Sequence, residues 1–219
     1  MRYPNARKGV KKVFVAEILT LLVAVFGLVG AVTAAVGLYG QDTLPESAAE
    51  GTVLSGGALI LAAGIMGFVS MIINLVGLRQ GGKDEPGMRY AFIMTILALV
   101  SSAAGGAINA NGTSTIGNLL DDLGGLFNFL AIVFVIASII RLAELLGDQK
   151  MVNKGGRLNT IILFCLLASF LLEITPRIFS GSIAENMVEV LGVAAAVCAV
   201  LGYVLYLSFL SKANKMLAK

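Results

Sequence analysis

The chain contains no histidine, which removes the commonest general base, the commonest metal ligand and the histidine half of a serine–histidine nucleophile pair. Charge is scarce too: Asp, Glu, Lys and Arg make up 13% of the 219 residues, against 58% hydrophobic. An ordinary soluble domain is roughly a quarter charged, and it could not hide this much apolar surface. Cysteine is limited to Cys165 and Cys198, both inside apolar segments, where they read as small buried side chains and not as partners in an extracellular disulfide. The glycine clusters Gly64-Ile65-Met66-Gly67 and Gly124-Gly125 lack a following Gly-Lys-Ser/Thr, so neither forms a phosphate loop. Asp84-Glu85 and Asp121-Asp122 read as adjacent loop pairs that point apart or into water, not as converging metal ligands. Catalysis has little to work with.

What the chain has in quantity is apolar sequence. Six runs lie near 13–38, 54–78, 90–109, 124–146, 158–179 and 187–211. About 20 residues suffice for a helix to cross a hydrocarbon layer about 30 Å thick. The runs show no ten-residue alternation of the kind a membrane barrel needs, so each must satisfy its own backbone as a helix. The expectation is an all-α, polytopic integral membrane protein, a single domain over 1–219 with six transmembrane helices in three hairpins. Basic residues Arg7, Lys8, Lys11 and Lys12 precede the first run as they would in a signal peptide. That run exceeds an h-region of about 7–15 residues, so it is expected to stay as the first helix.

Orientation follows from the basic residues. Of the 16 Lys and Arg, all but Arg177 fall at the N-terminus, in the second and fourth connections, or in the C-terminal tail. The opposite side holds Arg177 with Asp42, Glu46, Glu50, Asp121, Asp122, Glu173, Glu185 and Glu189. With short loops this asymmetry places both termini in the cytoplasm and the protein in the plasma membrane. The same positive charge could suggest nucleic acid, but beside apolar helices it opposes translocation and meets anionic lipid.

Twenty-six glycines require a reason, since glycine in a soluble helix costs about 1 kcal/mol relative to alanine. In a bilayer, small residues let helices approach closely. Helix six carries Gly192, Ala196, Ala199 and Gly202 along one face, the candidate helix-packing stripe. Helix one offers Gly27, Gly30, Ala34 and Gly37, and helix two offers Gly57, Ala63, Gly64 and Gly67. Such faces serve packing inside the bundle or contact with a second protein. Ile18-Leu19-Thr20-Leu21-Leu22 also echoes Ile93-Met94-Thr95-Ile96-Leu97, either as a decayed repeat or as the ordinary pattern of successive hairpins.

Ionisable groups within the apolar runs are few. Glu173 stands four residues before Arg177, the favourable order for a helical ion pair, with Pro176 between them removing a backbone donor. Two readings are open: an interfacial ion-pair anchor, or an outward-facing polar vestibule of Glu173, Arg177 and Asn128. Glu17 is a second acid within the runs, and an arginine from another helix end, Arg79, Arg89, Arg141 or Arg157, is expected as its counter-ion unless its side chain reaches to the headgroups. At mid-depth only Ser, Thr and Cys supply polarity, which counts against an ion-coupled transporter.

In size and helix number the chain is similar to the substrate-capture subunits of energy-coupling-factor vitamin transporters. Ala31-Val32-Thr33-Ala34-Ala35 has the small-xxx-small spacing such subunits use in their first helix, though here it lies in the outer half. The glycine-punctuated run 53–78 resembles three-hairpin bacterial acid-stress membrane proteins. No residue role is carried over from either. The functional expectation is a membrane component without catalytic activity or cofactor, partnered by the lipid bilayer and by itself or another membrane protein. The alternative is a small-solute transport or capture subunit with an outward vestibule.

Overall fold

The computed structural model describes residues 3–39, 45–110, 112, 114–178 and 185–218, with the side chains of 46, 166, 169–178, 185–189 and 191 outside the description. Six α-helices occupy nearly all of these residues: α1 (Pro4–Tyr39), α2 (Glu46–Gly81), α3 (Pro86–Asn109), α4 (Thr115–Leu145), α5 (Gln149–Ile178) and α6 (Glu185–Met216). No strand occurs among the described residues. Each helix begins before the apolar run expected for it, and α1, α2 and α6 also continue past its end. Hydropathy marks the part suited to hydrocarbon, whereas the i to i−4 hydrogen bonds run on until a cap stops them.

The connections show how those stops are made. Glu85 is extended, at φ −136° and ψ 113°, and its carboxylate accepts from the Gly87 amide at 3.4 Å. Pro86 follows at the first helical position, where its missing N–H costs nothing and its fixed φ suits a helix. Between α4 and α5, Gly147 adopts φ 71°, a left-handed conformation that glycine takes without a Cβ clash. The Gly147 amide donates to the Glu144 carbonyl and the Asp148 amide to the Ala143 carbonyl, both at 3.0 Å, closing the last turn of α4. Asp148 then starts α5 by accepting the Met151 amide at 3.0 Å. α3 runs to Asn109 and α4 starts at Thr115, and Asn109 links the two by accepting the Ser114 amide at 3.0 Å and donating to Asn118 at 3.1 Å.

Contacts divide the chain into two compact units. One is Lys11–Gly77; the other joins the start of α1, through Val10, to Leu78 and the residues after it. In the first unit, α1 packs antiparallel on α2 through small residues at seven-residue intervals. A Cβ at Gly30 would stand 2.9 Å from the Gly56 carbonyl oxygen, and one at Gly56 would stand 2.5 Å from the Ala34 nitrogen. A Cβ at Gly37 would collide with the Thr52 hydroxyl, and would stand 2.9 Å from the Ala49 carbonyl oxygen. Further along, Ser70 donates to the Ala16 carbonyl at 2.7 Å and lies 2.8 Å from the Thr20 hydroxyl. Ala49, Gly56, Ala63 and Ser70 thus form one stripe, and all four are buried. Seven-residue spacing keeps one stripe turned toward the partner helix along the whole contact.

The second unit repeats the device. A Cβ at Gly105 would stand 2.7 Å from the Gly117 carbonyl oxygen, and one at Gly124 would stand 3.2 Å from that of Ala98. Buried Ala91, Ala98 and Gly105 of α3 face a buried α4 series of Gly117, Gly124, Ala131 and Ser138. Thr20 donates back to the Ala16 carbonyl and Thr95 to the Ala91 carbonyl, as Thr33 does to Val29 and Thr160 to Gly156, so this bond does not single out the echoed positions. The α5–α6 pair differs, being filled near its charged end by the buried side chains of Ile162, Tyr206 and Phe209.

Candidate functional site

The residues singled out in the sequence fare differently. Glu173, Pro176 and Arg177 all lie on α5, but their side chains are outside the described residues, so the geometry of the vestibule lies outside them too. Asn128 is on α4 with an exposed side chain. On α6, Gly192 and Ala196 are exposed, Ala199 is half-buried and Gly202 is buried. A Cβ at Gly192 would meet nothing within 4 Å among the described residues. Cys165 and Cys198 are free thiols, each half-buried.

The polar residues whose geometry is described hold helices together. Asp84 and Glu85 do point apart, yet neither is idle in water. One Asp84 oxygen accepts the amides of Asn5 at 2.8 Å and Ala6 at 2.9 Å, and the other accepts the Asn5 side-chain amide at 2.9 Å. A carboxylate at the first turn of a helix satisfies orphan amides and meets the positive end of the helix dipole. Glu85 is buried, with 3% of its surface exposed, and its Oε1 lies 3.6 Å from Nη1 of Arg141 on α4. Arg141, one of the counter-ions expected for Glu17, is therefore engaged at the α2–α3 turn. Its side chain is 63% exposed, so the pair itself contributes little, while loss of the arginine would leave a buried carboxylate uncompensated. Asp121 and Asp122, expected in a loop, are in α4.

Sequence reasoning named Gly30, Ala34, Gly37 and Ala63, which belong to the contact between α1 and α2, but on α2 it named Gly57 and Gly64 in place of Gly56. Four glycine doublets make the point: Gly56, Gly105, Gly124 and Gly155 each have a neighbour against the missing side chain, whereas Gly57, Gly106, Gly125 and Gly156 have nothing within 4 Å among the described residues. Gly57 and Gly64, named as packing positions on α2, are open, while Gly30 and Gly37 on α1 are closed against α2. Small residues at every seventh position would have added Ala49, Gly56 and Ser70 to Ala63.

Five of the helices, α5 not among them, are long and apolar enough among the described residues to cross a membrane. Large apolar side chains such as Leu28, Leu54 and Phe68 lie on their outer surfaces. A chain built this way is a multi-pass, α-helical membrane protein. No protein-family model matches it, and neither does any curated protein or solved structure.

Proposed function

We propose that the protein is a non-catalytic component of the cytoplasmic membrane that acts by packing, with itself or with another membrane protein. In this reading it crosses the bilayer six times as three hairpins, with both termini on the cytoplasmic side, and binds no nucleic acid. The observation that supports it is the glycine left over once the helix pairs are formed. Gly57 and Gly64 lie seven residues apart on α2, with nothing among the described residues within 4 Å of either missing side chain. Toward lipid, a glycine forgoes the dispersion contacts that a larger side chain would make with acyl chains. Toward another helix, it permits close backbone approach.

The double variant Gly57→Leu/Gly64→Leu should disperse a self-associated species, or release a co-purifying membrane protein, without lowering the melting temperature of the monomer. Light scattering after size exclusion in mild detergent reads the first result, and cross-linking in membranes reads the second. Unchanged assembly, together with a small solute that raises the melting temperature of the wild type, would favour the capture-subunit reading instead.

Topology is tested separately in a background carrying Cys165→Ser and Cys198→Ser. Cysteine placed at exposed Ser47 should react with an impermeant thiol reagent in intact cells, and cysteine at exposed Lys83 should react only after the membrane is opened. The reverse labelling pattern would invert the orientation.

A further inference from the structure

At the junction of α5 and α6 an open pocket of about 260 Å³ is rimmed by Lys150 and Lys154 of α5 and by Lys212 and Lys215 of α6. We propose that this pocket binds the phosphate headgroup of an anionic phospholipid.

Three features support that occupant. The first is convergence. Lysines that merely retained one end of the protein on one side of the membrane would act from any direction, because that effect depends on their number near the helix ends. Here two lysines one turn apart on α5 and two near the end of α6 surround a single concavity. The only carboxylate in the lining is Asp148, and its Oδ1 already accepts the Met151 amide at the start of α5. None of the four lysines has an ion-pair partner among the described residues. The second feature is the apolar part of the lining, the thioether side chains of Met151 and Met216, each residue 7% exposed. A free anion would gain nothing from that apolar surface, whereas a lipid headgroup continues into its glycerol and acyl chains. The third is depth. The apolar run of α6 ends near 211, immediately before Lys212, and that of α5 begins near 158, shortly after Lys154. The rim therefore stands where apolar sequence gives way to polar, the level at which lipid phosphates lie.

Each lysine near an anionic surface adds about 1 kcal/mol of attraction, a factor of roughly five in affinity. The protein purified in a neutral detergent is titrated with short-chain phosphatidylglycerol, short-chain phosphatidylcholine and inorganic phosphate, with binding read by native mass spectrometry and by melting temperature. Phosphatidylglycerol should bind one per protein at low concentration and raise the melting temperature, and the other two probes should not. Lys154→Gln/Lys212→Gln should weaken phosphatidylglycerol binding on the order of 30-fold, from two such factors. Lys154→Arg/Lys212→Arg, which keeps both charges, should bind nearly as wild type and guards against a folding defect. Lys8→Gln/Lys11→Gln removes equal charge elsewhere and should leave the affinity alone. The proposal is overturned if phosphatidylcholine binds equally, if inorganic phosphate alone reproduces the effect, or if the Lys8/Lys11 variant loses as much affinity as the pocket variant.

Discussion

Gly56→Ala is expected to lower the melting temperature sharply, whereas Gly57→Ala, one residue along the same helix, is expected to leave it unchanged or raise it slightly. Away from contacts, glycine to alanine in a helix is favourable by about 1 kcal/mol, so both substitutions start with the same helix-propensity gain. At Gly56 the added methyl would stand 2.5 Å from the Ala34 nitrogen and 2.7 Å from the Gly30 carbonyl oxygen. Both obstacles are backbone, so no side-chain rotation relieves the clash and α1 must move away from α2. Overpacking costs about 1–3 kcal/mol where side chains can adjust, and a backbone obstacle belongs at the top of that range or above it. Separation would also lengthen the hydrogen bond from Ser70 to the Ala16 carbonyl, now 2.7 Å. The paired variants are compared by thermal melting in one detergent. Equal melting temperatures would show that α1 and α2 do not approach at Gly56.

Asp84→Ala should produce the second large loss. The substitution removes the acceptor for the amides of Asn5 and Ala6 and for the Asn5 side chain in one step. Hydrogen bonds to a charged group contribute about 1.5–3 kcal/mol, and loss of a helix cap costs about 0.5–2 kcal/mol. Asp84 is only partly buried, so water replaces some of what is lost, and about 1–3 kcal/mol is expected. Hydrogen exchange locates the effect: the Asn5 and Ala6 amides should lose protection well before those of the α3–α4 contact. Asp84→Asn retains one acceptor oxygen and should fall between alanine and wild type. If protection at Asn5 and Ala6 is the same in all three proteins, the carboxylate does not hold the start of α1.

The same contrast between a local and a distant cause separates what was legible in the sequence from what was not. Glu85-Pro86 could be read as a turn followed by a helix start, because a proline at the first helical position acts through its own ring and φ. The destination of the Glu85 carboxylate could not be read, since Arg141 lies on a different helix and competes with every other arginine as a partner. Asp84 was equally opaque, because the amides it caps lie 78 and 79 residues away. The pocket lysines could be counted as basic residues, but their convergence needs α5 and α6 side by side.

The sequence by itself determined that this is an all-helical membrane protein, because transfer of apolar surface and the need to satisfy every backbone group within lipid are additive, local demands that each run answers alone. It also determined where small residues are plentiful. Only the tertiary structure decided which of them touch. Gly56 and Gly57 are chemically identical and adjacent, yet successive residues point about 100° apart around a helix of 3.6 residues per turn, so one meets the backbone of α1 and the other meets nothing within 4 Å among the described residues. That choice depends on the rotation of α2 against a partner whose matching glycine, Gly30, lies in a different helix.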